Sequence, residues 1–351
     1  MKRTVFFLVT LMLVPIMLFS HGATEQDVSK PIVMKVATED PAGAIQHPAV
    51  SMIETFITEV EKNANGRIVV EYYPNRQLGT GESILTQLRN GLVQVSTHND
   101  GVLSSIYPPL QVAHIPYVFA SRELAWKVLD GQVGKELMDD MAKKTGVRIL
   151  SWTENGGFRH YTNNKREIRT PKDMVGIKMR TMNVPLHMQI VRDLGASPTP
   201  ISWAEVYSAL QTGVADGQEN SITTMLLPKL EEVQKYIALD GHVYGIVSIA
   251  INDAWFQGLP ADLKQVIINA DLAARAANRK TSVEQETIGL EYLKSKGNVI
   301  YETTFEDKEL FRAATQDSAI AFLQKDPNVG PVWVEKMLKA VDAAEREMGL
   351  K

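Results

Sequence analysis

Past Pro31 the spacing of apolar residues switches period in a regular way. "PIVMKVAT" (Pro31 to Thr38) is a short apolar run rich in β-branched residues, the pattern of a buried strand. Met52, Ile53, Phe56, Ile57 and Val60 then recur at helical spacing up to Gly66, and "RIVVEYY" (Arg67 to Tyr73) reads as a strand again. Strand, helix and strand in that order predict a βαβ unit, and βαβ units build parallel sheets.

Two later stretches repeat one design. In "ILTQLRNGLVQVSTHND" a helical pattern stops at Gly91 and a strand runs to His98 and Asn99; in "VYSALQTGVADGQENS" the helix stops at Gly213 and the strand runs to Glu219 and Asn220. Glycine directly after a helical run is a C-cap signal. If each stretch lies in its own sheet, the carboxyl ends of two equivalent strands face each other across one cleft. The alternative is that helix, glycine and strand follow one another in any α/β protein.

A third stretch, "GIKMRTMNVP", places a short strand (Ile177 to Met179) just before Asn183 and Pro185. Asn183 is expected to cap a helix running from Val184 to Leu194 with Pro185 in its first turn. Ser202 and Glu205 have capping-box spacing before "VYSALQ". Arg180 therefore stands between a strand and a helix N-terminus, where open α/β sheets place ligands and where exposed N–H groups favour an anion. From Pro260 to Lys296 there is no internal proline and one internal glycine, Gly289. That text predicts a single helix about 55 Å long, enough to cross two lobes; two helices broken near Thr281 and Ser282 are the alternative.

At 351 residues, with 44% hydrophobic and 22% charged side chains, the chain supports two globular domains. Its start is different: Lys2 and Arg3, an apolar run from Val5 to Phe19, and the small residues around Gly22 read as a signal peptide over 1–22. An uncleaved anchor is the competing reading, but the run is short for a membrane span and contains Pro15. Removing Lys2 and Arg3 makes the mature chain more acidic than the formal −4, which argues against nucleic acid or an anionic membrane as partner. There is no cysteine, so the fold must hold without disulfides and without a lipidated thiol. Together these features predict a free, monomeric protein of the periplasm that does not span the membrane.

Catalytic and cofactor motifs are missing from the text: no G-x-S-x-G, H-E-x-x-H, Walker A loop or G-x-G-x-x-G follows a strand. The seven histidines lie apart, so neither a metal nor another cofactor is expected. Carboxylate pairs such as Glu231-Glu232 and Asp139-Asp140 fall on helical, charge-rich text and read as solvated faces. What remains is a set of polar groups at turns after strands: Arg159 in "ENGGFRHYTN", Arg180, and Asn220 in "ADGQENS". A guanidinium fork holds a carboxylate by two parallel hydrogen bonds, and an amide adds a third contact. With no nucleophile beside them, these groups describe a clamp for an organic anion; a surface ion pair is the plain alternative for each arginine.

The pieces "YYPNRQLGTGESILTQLRNG", "HIPYVF", "ENGGFRHYTN", "TPKDMVGIKMRTMNVPLHMQIVRDLGASPTPISWAEVYSALQTGVADGQEN" and "AINDAWFQGLP" occur in this order over most of Pro31 to Pro260. They resemble the solute-binding proteins of tripartite ATP-independent periplasmic (TRAP) transporters, the DctP-like family. The resemblance implies an α/β, two-lobed periplasmic-binding-protein fold of type II-like form, with mixed sheets and a long helix spanning both lobes. It divides the chain into 31–155 plus about 244–285 for lobe I and about 156–243 plus 286–351 for lobe II. It implies carboxylate binding by Arg180 with Arg159 and Asn220 beside it. More weakly, it marks Thr80, Glu82, His98, Asn99 and Asp100 as ligand-facing on the other lobe, with Trp203 and Tyr244 as cleft walls or, equally, as buried core. After "GQEN" many members have proline; here Ser221 follows, which leaves the turn carrying Asn220 less constrained.

The function so implied is a non-enzymatic receptor. It binds a small organic acid (a C4-dicarboxylate, a sugar acid or a related carboxylate) and passes it to TRAP permease subunits in the membrane. The rivals are the binding protein of an ATP-driven transporter and a periplasmic hydrolase acting on an acidic sugar.

Overall fold

The structure, a computed structural model, describes residues 30–44 and 46–351. The predicted signal segment 1–22 lies outside the described residues. Ten strands are present among them: β1 (Ile32–Ala37), β2 (Ile68–Tyr73), β3 (Val95–Asn99), β4 (Val147–Ile149), β5 (Thr153–Asn163), β6 (Lys178–Thr181), β7 (Ser197–Pro200), β8 (Gly217–Asn220), β9 (Tyr236–Asn252) and β10 (Val299–Tyr301). They form a mixed sheet in the order β2-β1-β3-β9-β5-β8-β6-β7, with β4 and β10 pairing β9.

That order is symmetric about its centre. β1 lies parallel to β2 and β3, and β3 runs antiparallel to β9; β6 lies parallel to β7 and β8, and β8 runs antiparallel to β5. The two helix-glycine-strand stretches thus occupy matching places in the two halves, and the opening βαβ unit, β1 and β2, is matched by β6 and β7. β3 and β8 are equivalent strands, and both point their carboxyl ends to the middle.

The halves are joined by β5 and β9, whose antiparallel register shifts between Glu154 and Phe158 and again between Arg159 and Tyr161. Gly156 and Gly157 fill the first break with φ of +78° and +91°. A side chain on either would be strained by φ alone, and a Cβ there would also lie 2.0 Å from Thr223 Oγ1 or 2.3 Å from Arg122 Nη2. The crossing strands therefore break register where no side chain fits, as at a β-bulge.

A single unbroken helix of 35 residues, Ala261–Ser295, bridges the two halves, so the reading of two helices is set aside. Its Leu263, Ile267, Ala270 and Ala274 pack into one core with Met34, Ile53, Phe56 and Ile249. Its Leu293, near the other end, packs with Leu210, Ile222, Met225 and Ile237. The helix Gly330–Glu347, expected from the family pattern with the second lobe, packs on Arg122–Leu129 and Gln132–Thr145.

Two local expectations shift by a residue or more. The helix after β6 runs from Pro185 to Asp193, with Val184 at the N-cap position and no side-chain cap. Pro185 is pre-set for the first helical position, so Asn183 falls one residue outside and keeps its amide free of capping. Ser202 likewise caps no helix: its hydroxyl donates to Glu205 Oε2 at 3.3 Å, and a short 3-10 turn, Trp203–Glu205, precedes the helix Val206–Gln211.

Candidate functional site

A cleft opens at the carboxyl ends of β1, β3, β6 and β8, between the two halves of the sheet. Its inner part is bounded by Asp40, Thr97, Asn155, Arg159, Asn220 and Thr224. Its outer part is bounded by Glu82, Ser105, Asn183, Pro200 and Ser202. Glu39, Asn99, Arg180, Met182 and Trp203 border both parts, so the two form one space.

Arg180 sits near the end of β6, 2% exposed. Its Nε and Nη2 donate to the Ile201 carbonyl at 2.9 and 2.7 Å, and its guanidinium lies 5.8 Å from the Trp203 ring centre. These contacts fix the fork but leave the other N–H groups for the cleft. No carboxylate pairs with Arg180 among the described residues. Burial without a counter-charge pulls its pKa down to about 10, with Glu219 opposing the shift and Arg159 adding to it. A desolvated cation that lacks an anion is costly to hold, and a ligand carboxylate relieves that cost.

Arg159 lies beside it but is already engaged. Its Nε donates to Glu219 Oε2, and Nη2 donates to the Glu219 carbonyl at 2.8 Å and to Oε1 at 2.9 Å. His187 and His242 approach the same carboxylate at 3.6 and 3.4 Å. Burial alone would raise the Glu219 pKa, but Arg159 and the two histidines overcome it and hold the group well below the ordinary carboxylate range. His242 in turn is held up at about 9; burial opposes this, and Asp240 at 2.8 Å and Glu219 override it. Only the Nη1 end of Arg159 remains for a ligand.

Asn220 ends β8, and its Nδ2 donates to Gln218 Oε1 at 2.8 Å. The turn after it is held by Ser221, which caps the helix Ile222–Leu226: its Oγ accepts from the Thr224 N–H at 3.4 Å and donates to the Asn155 carbonyl at 2.6 Å. Serine thus ties the turn to β5 through its hydroxyl, and the looseness expected from the missing proline is replaced by a cap. Asn99, at the equivalent end of β3, spends its own Oδ1 on capping: the Val102 N–H donates to it at 3.0 Å. Equivalent asparagines therefore reach the cleft with different free groups.

The structure brings Arg180, Arg159, Asn220, Asn99, Glu82 and Trp203 together around the cleft. It places four other candidates elsewhere. Thr80 is the N-cap of the helix Gly81–Arg89, its side chain accepting from the Ser83 N–H. His98 is buried and bonds Ser96 Oγ at 2.8 Å, while Thr97 and Asn99 line the cleft. Successive strand residues point to opposite faces, so His98 belongs to the interior, where burial lowers its pKa to about 3. Tyr244 is buried too, donating to Glu154 Oε2 at 3.0 Å and accepting from Trp126 Nε1 at 2.9 Å. Asp100 accepts from the Ile246 N–H and pairs with His114 at 3.0 Å. The N–H of Leu186 in the helix behind Arg180 goes to Gln111 Oε1 at 3.2 Å, so that donor does not face an anion.

Sequence reasoning missed Glu39 and Asp40, Asn155, and the cleft-facing role of Asn183. The first two directly follow β1, so the strand-end rule that singled out Arg180 applies to them equally. The wall they form is acidic. Burial raises Glu39 to about 7; the Gly81 N–H opposes this, and Asp40 and Glu82 push it further up.

The chain is similar to known proteins in both sequence and fold. A family model described as bacterial extracellular solute-binding protein, family 7 (DctP) matches residues 38–326. A solute-binding protein of Verminephrobacter eiseniae is 36% identical over 262 residues, covering 75% of this chain and 77% of that protein. The crystal structure of the sugar acid binding protein DctPAm from Advenella mimigardefordensis in complex with galactonate superposes with a TM-score of 0.83 at 30% identity, over 90% of this chain and 99% of that one. A TRAP periplasmic solute-binding protein from Polaromonas sp. JS666 bound to D-erythronate gives 0.80 at 31% identity, over 88% and 98%.

Proposed function

Because the chain belongs to the family-7 (DctP) bacterial extracellular solute-binding proteins, we propose that it is a periplasmic receptor for a small organic acid, which it delivers unchanged to a TRAP-type permease. The observation that supports this most strongly is Arg180: buried, held by one carbonyl, and without a carboxylate partner among the described residues. The ligand carboxylate takes the free side of that fork. Nη1 of Arg159 and the Asn220 amide lie beside it in the same recess.

Binding is read as closure of the lobes about the register breaks between β5 and β9. Closure expels water and strengthens the ion pair. The closed form, with both walls on the ligand, is what a permease recognises. The relatives crystallised with galactonate and with D-erythronate support an acid as ligand. Against the hydrolase reading, the acidic residues that line the cleft, Glu39, Asp40 and Glu82, stand on the wall opposite Arg180, and the hydroxyl beside the fork, Ser202, bonds Glu205 rather than a histidine base.

A thermal-shift screen over organic acids tests the reading, since ligand at about 100 times its Kd adds roughly 2.7 kcal/mol to stability. We expect a raised melting temperature with an acid that mass spectrometry recovers unaltered. Turnover of that acid, or no shift with any acid, contradicts it.

A further inference from the structure

The two walls of the cleft carry opposite charge, and this says what the rest of the ligand is. Arg159 and Arg180 are the only Lys or Arg side chains that line it among the described residues; Arg180 stands on β6, and Arg159, on the crossing strand β5, is bonded to Glu219 of β8. The facing half contributes Glu39, Asp40 and Glu82, none of which forms an ion pair among the described residues. Glu39 borders both parts of the space. The approach is close: a Cβ at Gly81 would lie 2.5 Å from Glu39 Oε2, so glycine there is what lets the carboxylate settle against the chain. Arg76 favours the charged form of Glu39, but burial together with Asp40 and Glu82 outweighs it.

We propose that this acidic wall makes the protein selective for polyhydroxylated monocarboxylates, whose hydroxyls donate to Glu39 and Glu82 while the carboxylate lies on Arg180, and makes it reject dicarboxylates. The proposal rests on the receptor reading above and narrows it. An ionised carboxylate accepts hydrogen bonds and donates none, so ligand O–H groups are its natural complement. A second carboxylate on the ligand meets like charges in a desolvated space instead. An acid lacking hydroxyls leaves the half-buried acceptors unsatisfied and is also disfavoured. The raised pKa of Glu39 fits a group whose charge is already poorly accommodated before any ligand arrives.

The test is calorimetry with matched pairs that differ at one end: D-gluconate against D-glucarate, D-galactonate against galactarate, and D-erythronate against meso-tartrate, with succinate added. At pH 8 we expect at least one monocarboxylate to bind and its diacid to bind at least 100-fold more weakly. Glu39→Gln is expected to shrink that ratio at least tenfold, with circular dichroism confirming an unchanged fold. A diacid within tenfold of its partner, or tight succinate alone, overturns the selectivity and leaves the receptor reading standing. A ratio untouched by Glu39→Gln overturns the role of the wall. If no acid in the panel binds, the receptor reading fails and this inference with it.

Discussion

The two halves of the molecule share a strand order and the same handling of strand ends, yet they present opposite chemistry to the space between them. In the half built on β1 and β3, the residues at the strand ends are Glu39, Asp40 and Asn99; in the half built on β6 and β8 they are Arg180 and Asn220. The fold decides only where the ends point. The side chains placed there decide what is captured. The difference between the two arginines repeats this lesson within one wall. Arg159 is neutralised by Glu219 and becomes part of the frame, whereas Arg180 is left without a carboxylate partner among the described residues and is the group proposed here to take the ligand carboxylate.

The sharpest way to break this contrast is at the arginines. Arg180→Ala is expected to weaken acid binding at least about a hundredfold by calorimetry, since losing one partner of a buried charge pair costs on the order of 3 kcal/mol or more. Arg180→Lys is expected to weaken it at least tenfold, because an ammonium does not reproduce the fork. Arg180→Met has a second consequence: the ligand-free protein becomes more stable, by about 1 kcal/mol in urea unfolding, because a buried unpaired cation has been replaced by an apolar side chain. Unchanged binding by Arg180→Ala would remove the clamp from the account.

Next in size is Glu219→Gln, which leaves Arg159 buried without its counter-charge. It is expected to destabilise the ligand-free protein by about 3 kcal/mol at pH 7, measured by the same unfolding curves. A loss no larger than for a surface residue would mean that the two arginines are not differently used.

The acidic wall gives a pH signature. Glu39 has its folded pKa raised from 4.5 to about 7, so between those values the folded state binds more protons than the unfolded state. Stability therefore falls as pH rises through that window. Glu39→Gln removes the effect: it is expected to leave stability unchanged below pH 4.5 and to raise it by at least about 1 kcal/mol above pH 7. A constant difference at all pH values would contradict the buried-carboxylate account.

The smallest effects concern the strand faces and the cap. His98→Gln is expected to alter ligand affinity less than twofold, while Asn99→Ala, one residue on and facing the cleft, weakens it about tenfold. Ser221→Ala is expected to lower stability by about 1 kcal/mol through loss of the cap.

Much of the fold is legible in the sequence because its signals are local. Apolar spacing around Met52 to Val60, the glycines at 91 and 213, and the proline-free stretch before Lys296 each report on their own segment. Arg180 was legible for the same reason, since a strand end and a helix start flank it. The Arg159 pairing was not, because its partner Glu219 is 60 residues away and the charge of Arg159 alone does not reveal it. His98 was misread because the family pattern marks a segment, whereas the one-residue alternation of β3 decides which of its side chains reaches the cleft. Glu39 was passed over because a Glu-Asp pair in a turn reads as solvated until its carboxylate is seen to settle against Gly81 at the edge of the cleft.

The most direct measurement is a crystal structure of the protein with the acid that raises its melting temperature most. The account predicts the ligand carboxylate in two hydrogen bonds to the Arg180 guanidinium, with ligand hydroxyls on Glu39 and Glu82. A carboxylate seated away from Arg180, or on the wall formed by Glu39 and Glu82, contradicts it.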